Sequence, residues 1–261
     1  MYYIFILGPA GSGKSYLTKA LSSWMRDRGL DVITVNLDPA ADWLPYAPDV
    51  DIRNYVTTED VMKKFNLGPN GALIASVDLA TNYVDDIKAE IESTSPNYVI
   101  VDTPGQLEIF AFRIAGKVIV DRLSKGFKRV SVFLIDSYIA TRPAPLLSML
   151  FLSLSTFLYL QVPQINVLSK ADVLSDQDAE RIRRWLELPS DFAYELSKEL
   201  PGFMLTLDHV SLIEGFLSSL TTELIAVSSV TEQGIDSLYA YIQRVVAGGE
   251  DYLTEEPSEA L

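Results

Sequence analysis

Residues 8–15 read Gly-Pro-Ala-Gly-Ser-Gly-Lys-Ser and fill every position of the pattern G-x-x-x-x-G-K-[ST]. The apolar run Tyr2-Tyr3-Ile4-Phe5-Ile6-Leu7 precedes it, and Tyr16 to Arg28 comes after with Leu17, Ala20, Leu21 and Trp24 at helical spacing. A buried strand, a glycine-rich turn and an amphipathic helix in that order confine the chain to a phosphate-loop α/β fold. Glycines let the backbone curl with its N–H groups inward, and the helix N-terminus adds partial positive charge. Gly11, Ser12 and Gly13 are expected to cradle phosphates through backbone N–H groups, and Tyr16 is counted with them among the nucleotide-binding residues. Lys14 reaches the β- and γ-phosphates and Ser15 ligates Mg²⁺ in such loops. A chance glycine-rich turn is the competing reading, and the flanking strand and helix argue against it.

Further strands are expected at Val32–Leu37, Tyr98–Asp102, Val130–Ile135, Gln164–Leu168 and Leu224–Val227. Helices are expected at Lys14–Arg28, Thr58–Asn66, Gly71–Ser93, Ile114–Gly126, Ala144–Leu160, Ser175–Glu187 and Ile235–Val246. The alternation implies a doubly wound, mainly parallel sheet with helices on both faces. With 261 residues, 48% of them hydrophobic, the chain can form one large domain. The expected organisation is a single domain over 1–247, a helical insertion near 190–222 and an acidic, flexible tail over 248–261. A formal net charge of −14 argues against a non-specific nucleic-acid binder. The absence of cysteine excludes disulfides and suits a reducing cytoplasm. The chain opens directly on its first strand, so a secretory signal is not expected.

Pro143 to Ser169 carries no charged residue, and Leu146 to Leu160 is strongly apolar. A membrane span is one reading. Ser148, Ser153, Ser155, Thr156 and Gln161 interrupt it, Pro163 breaks it, and it lies between two expected strands. A helix buried against the sheet is the better reading, and a partly exposed apolar groove for a protein client is a third.

Asp102-Thr103-Pro104-Gly105 comes after the strand Tyr98–Val101. An acid at the carboxyl end of a parallel strand, then glycine, fits a second Mg²⁺ ligand at Asp102 and a γ-phosphate contact from the Gly105 N–H. Ser169-Lys170-Ala171-Asp172 comes after the fifth expected strand and approximates Asn-Lys-x-Asp. There the Asp172 carboxylate would accept from the guanine N1–H and exocyclic amine, and Lys170 would lie along the base. The departure is Ser169 in place of asparagine. Ser228-Ser229-Val230 stands where a backbone N–H from Ser229 or Val230 would read guanine O6. Asn36-Leu37-Asp38-Pro39 suits a first switch, with Asp38 orienting the attacking water or joining the Mg²⁺ shell. Each acid has a bland alternative as a turn or cap residue.

Gly68-Pro69-Asn70-Gly71 lies between two expected helices. Together with Pro48-Asp49-Val50-Asp51-Ile52-Arg53 and Asp102-Thr103-Pro104-Gly105-Gln106-Leu107-Glu108, it closely resembles the GPN-loop GTPases, relatives of the signal-recognition and MinD-type proteins. The resemblance runs from Tyr3 to about Val246. It implies a homodimer that binds GTP and GDP with Mg²⁺, in which Gly68, Pro69 and Asn70 reach into the partner's site. It also implies Asp38, Gln106 and Glu108 as water-positioning or Mg²⁺-shell residues. MinD-type ATPases carry an extra lysine early in the loop; Pro9 stands there here, which favours the Gly-Pro-Asn reading.

The leading expectation is therefore a GTPase that switches an apolar client surface. The Leu146–Leu160 helix, Leu150 included, and the 190–222 insertion are the candidate surfaces. A polynucleotide-type kinase or ATPase, and a nucleotide-bound scaffold, are the alternatives.

Overall fold

The computed structural model describes residues 1–199, 207–219 and 224–247. Its strands are β1 (Tyr2–Leu7), β2 (Val32–Asn36), β3 (Val50–Asp51), β4 (Tyr98–Asp102), β5 (Lys128–Asp136), β6 (Gln164–Ser169) and β7 (Ile225–Val227). The helices are α1 (Lys14–Arg26), α2 (Thr58–Phe65), α3 (Pro69–Ala80), α4 (Val84–Thr94), α5 (Leu107–Ala111), α6 (Ile114–Leu123), α7 (Ser137–Ala140), α8 (Pro143–Leu160), α9 (Asp176–Glu187), α10 (Pro189–Glu199), α11 (Leu207–Ser219) and α12 (Ile235–Ala247).

The strands form one parallel sheet in the order β3-β2-β4-β1-β5-β6-β7. Successive side chains of a strand point to opposite faces, and β1 divides accordingly. Tyr3, Phe5 and Leu7 join a core under α4, α6 and α8, whereas Ile4 and Ile6 pack with Leu17 and Leu21 of α1 and Leu238 and Ile242 of α12. Both faces of the sheet are thus covered, which is why its central strands are apolar throughout. Because every strand runs the same way, the carboxyl ends of β1, β4, β5, β6 and β7 share one edge. Register places Ile6 beside Asp102 and Ser169 beside both Asp136 and Val227. That edge carries the site.

The expected helix Gly71–Ser93 is interrupted: α3 ends at Ala80, a short 3-10 turn covers Thr81–Tyr83, and α4 begins at Val84. Gly68-Pro69-Asn70 is also not a free-standing loop. Gly68 caps α3 and Pro69 and Asn70 form its first turn. Proline's fixed φ and missing N–H suit a helix start, so the residue that reads as a break is a beginning. Strand β3 has only two residues, too few for a periodic signal. The acidic segment 248–261 lies outside the described residues.

Helix α8, after the short α7, forms the crossover between β5 and β6, parallel neighbours in one sheet, where a helix packs back over the sheet. It is 18 residues long with a mean hydropathy of 1.6. Leu146, Leu150 and Leu160 are buried against the sheet. Leu150, 2% exposed, is therefore core and not client surface; Phe151 and Leu158, 37% and 61% exposed, face outward. Helix α6 approaches α5 so closely that a Cβ on Gly116 would stand 1.8 Å from the Phe110 carbonyl oxygen.

Candidate nucleotide-binding site

The turn after β1 enters α1 through Gly13, whose φ of 95° is a left-handed conformation that a side chain would strain. Lys14 is 6% exposed, and its ammonium donates to the carbonyls of Gly8 (2.9 Å), Pro9 (3.1 Å) and Gly105 (3.3 Å). Burial pulls its pKa down, opposed by Asp102, Asp38 and Glu108. One lysine thus joins the loop after β1 to the loop after β4.

Asp102 ends β4 and is 1% exposed. Burial pushes its carboxyl up to about 6, against the pull of Ser15, Lys14 and Tyr46. Tyr46 donates its hydroxyl to Asp102 Oδ2 at 3.1 Å. Asp102 Oδ1 and Ser12 Oγ are buried with no hydrogen-bond partner among the described residues. Such orphaned atoms are costly unless a bound group uses them. One buried carboxylate beside the Ser15 hydroxyl is a donor set suited to Mg²⁺, which takes few protein ligands and completes its shell with phosphate and water. Among the described residues no cluster of three or more His, Cys, Asp or Glu offers an alternative metal cage.

Asp38 accepts from the Ala40 N–H (2.9 Å) through Oδ1 and from the Gly105 N–H (3.0 Å) through Oδ2. Burial raises its pKa despite these donors and Lys14. The Gly105 N–H, expected to meet a γ-phosphate, is therefore donated to Asp38. The segment is braced from beneath by residues that sequence reasoning assigned no role. Asn36 donates to Asp51 Oδ1 (2.9 Å) and accepts from the Asp38 N–H (3.0 Å). Arg53 pairs with Asp51 (2.6 Å) and donates to the Ala41 carbonyl (2.8 Å). Burial pushes the Asp51 carboxyl up, yet hydrogen bonds from Arg53 and Asn36 hold it below its usual value. Arg53→Ala strands that carboxylate, whose side chain is 12% exposed. A loss of roughly 1–3 kcal/mol is expected in a denaturant melt, because a buried charge loses its partner.

Gln106 caps α5 and is half-buried; Glu108 in the first turn is exposed, within electrostatic reach of Lys14. Tyr16 turns outward, 52% exposed, its ring centroid 6.5 Å from that of Trp43. Gly68, Pro69 and Asn70 are exposed, and no hydrogen bond joins them to Lys14, Asp38 or Asp102 among the described residues. Lys14, Asp38, Asp102 and Gly105 lie together, whereas Tyr16 and the three residues Gly68, Pro69 and Asn70 face outward.

The third loop lies against the first. Ser169 Oγ is 2.8 Å from the Ser12 carbonyl and 3.2 Å from that of Ile135, so serine ties β6 to the turn after β1. A Cβ on Gly13 would stand 3.9 Å from Lys170 Cε. Lys170 adopts a left-handed φ of 58° and pairs with Asp136 (2.6 Å), whose other oxygen accepts from the Tyr138 N–H and caps α7. Asp172 Oδ1 accepts from Ser228 Oγ (2.6 Å), while that serine oxygen accepts from the N–H groups of Val230 (3.2 Å) and Thr231 (3.1 Å). Ser228 is thus the residue of this turn that meets the acid, and the Val230 N–H, expected to read guanine O6, is directed at Ser228.

Residues 6–248 match a family model described as a conserved hypothetical ATP binding protein. GPN-loop GTPase 3 of Dictyostelium discoideum is 32% identical over 97% of this chain and 89% of its own length. The chain belongs to the GPN-loop GTPase family. GPN-loop GTPase 1 of the same organism is 32% identical over 95% of this chain, which spans 62% of that longer relative. The crystal structure of a GTPase in apo form from Pyrococcus abyssi is 27% identical, superposes with a TM-score of 0.79, and covers 94% of this chain and 97% of its own. Within this GPN-loop GTPase fold the site is drawn together from distant segments: Lys14 meets Gly105 across 91 residues and Ser12 meets Ser169 across 157.

Proposed function

We propose that this chain is a Mg²⁺-dependent GTPase that hydrolyses GTP to GDP and phosphate as a homodimer. The observation that carries the base is Lys170 lying against Gly13 of the phosphate loop, with the Asp172 carboxylate two residues on held by Ser228. A carboxylate only accepts, so it suits the two adjacent donors of guanine and repels the N1 lone pair of adenine. That contact favours GTP over the ATP named in the family model's description.

Lys14 supports the β- and γ-phosphate oxygens, together with N–H groups of Gly11 to Ser15. Mg²⁺ held at Ser15 and Asp102 supplies further positive charge to those oxygens. Asp38 and Gln106 would orient the attacking water, and the raised pKa of the buried Asp38 carboxyl supports that role for Asp38. Gly68-Pro69-Asn70 opens α3, so the helix's positive end and an exposed amide face away from this subunit. A second copy that brought them to the γ-phosphate would add a neutral donor where charge develops.

Asn70→Ala is expected to slow phosphate release by about 10–100-fold with GTP affinity unchanged. Release per subunit in the wild type should rise with protein concentration. Rates independent of concentration, with Asn70→Ala as fast as wild type, would remove the dimer from the mechanism.

A protein client is the remaining element of the proposal. Its support is the outward row of α8 and α11, where Phe151 stacks on Phe216 at 4.7 Å and Leu158 and Leu212 are each more than half exposed. A cytoplasmic setting accords with the cysteine-free composition.

A further inference from the structure

We propose that Tyr46 is a positioning residue for the metal carboxylate: its hydroxyl pins one oxygen of Asp102 so that the other is presented to Mg²⁺. The inference rests on the Mg²⁺ reading above.

A carboxylate turns easily about its last torsion, which is broad and two-fold. In Asp102 the two oxygens are not equivalent. Oδ2 receives the Tyr46 hydroxyl at 3.1 Å, and Oδ1 is buried without a partner. The hydroxyl therefore decides which oxygen is left for a cation. A phenol turned inward needs such a partner, since its ring alone would be served as well by phenylalanine.

The donor also arrives on a fixed segment. Residues 38–53 are tied down by Asp38 to the Gly105 N–H (3.0 Å), by Asp49 Oδ2 accepting from the Thr34 N–H (2.7 Å) and by Arg53 to the Ala41 carbonyl (2.8 Å). Tyr46 is the point at which this segment touches the metal carboxylate directly. Its hydroxyl does for Asp102 what outer hydrogen bonds do for metal ligands generally: it fixes orientation before the ion arrives. Substituting such partners typically weakens metal binding by about 10–100-fold.

The test is the affinity for a fluorescent GDP analogue, titrated across Mg²⁺ concentrations and in EDTA, for wild type, Tyr46→Phe and Asp102→Asn. Phenylalanine keeps the ring, and far-UV circular dichroism confirms the fold. In wild type the affinity rises with Mg²⁺. In Tyr46→Phe the Mg²⁺ concentration giving half of that rise should increase about tenfold, with the affinity in EDTA within about twofold of wild type. Coincident Mg²⁺ midpoints for Tyr46→Phe and wild type would overturn the proposal. Equal losses with Mg²⁺ and in EDTA would also overturn it, by making Tyr46 a general packing residue. If wild type shows no rise with Mg²⁺, the metal reading itself fails, and Tyr46 falls with it.

Discussion

Asp102→Asn should give a protein that is more stable in EDTA and nearly inactive with Mg²⁺. The carboxyl is 1% exposed, and burial pushes its pKa from 3.8 to about 6 in the folded chain. Between those values the folded state binds a proton that the unfolded state has lost. Stability from this group therefore grows as pH falls from about 7 through 6, and the ionised form is a cost at neutral pH. Two units at about 1.4 kcal/mol each set that cost near 3 kcal/mol. Asparagine removes it, less whatever its amide leaves unpaired, so a net gain of roughly 1–3 kcal/mol is expected at pH 7. For a domain of this size that is about 2–12 °C in the thermal midpoint. The gain should shrink at pH 5 and vanish below pH 4. Phosphate release should meanwhile fall by about 10²–10³-fold, since the charged ligand is gone. The measurement is a pair of thermal scans in EDTA at pH 7 and pH 4, with turnover in Mg²⁺. A variant less stable than wild type at pH 7 would show that Asp102 is compensated in the folded state.

Asp172→Asn is the second large effect, and it concerns which base is read. Ser228 has one hydroxyl proton and gives it to Asp172 Oδ1; the backbone N–H groups of Val230 and Thr231 hold the serine oxygen in turn. The acid is thereby oriented by a network rooted in the turn after β7. Asparagine can keep the serine contact through its carbonyl, but it then turns an NH₂ toward the guanine donors. GTP affinity should fall by about 10²–10³-fold and the preference over ATP should largely disappear. Xanthosine triphosphate, which offers a carbonyl where guanine has an amine, should gain in the variant. Competition binding with the three nucleotides measures this. An unchanged order of preference would show that the base is recognised elsewhere.

The parts legible in the sequence are those whose chemistry is local. Residues 8–15 determine their own curl, and the acid after Val101 or the lysine after Ser169 declares itself by its place at a strand end. Alternating apolar strands and helices were enough for a parallel, doubly covered sheet. What escaped depends on distant pairs. Asn36 meets Asp51 across 15 residues and Tyr46 meets Asp102 across 56, and neither has a spacing rule. Strand β3 is too short to show periodicity and exists because β2 offers it an edge. Pro69 misled because the same fixed φ serves a turn and a helix start, and only the packing of the next dozen residues distinguishes the two. Leu150 and Phe151 are adjacent and equally apolar; only the placement of α8 separates core from surface.

The contact between α6 and α5 limits what this chain can become. At Gly116 even a methyl group would occupy the space of the Phe110 carbonyl oxygen. The short helix that would be displaced begins immediately after Gln106 and carries Glu108. Drift at Lys117 or Val118, on the partly open side of α6, can be absorbed by solvent, but position 116 has a single permitted letter. That restriction comes from backbone meeting backbone between two helices, since the atom in the way is the Phe110 carbonyl oxygen and not the end of a side chain that could swing aside.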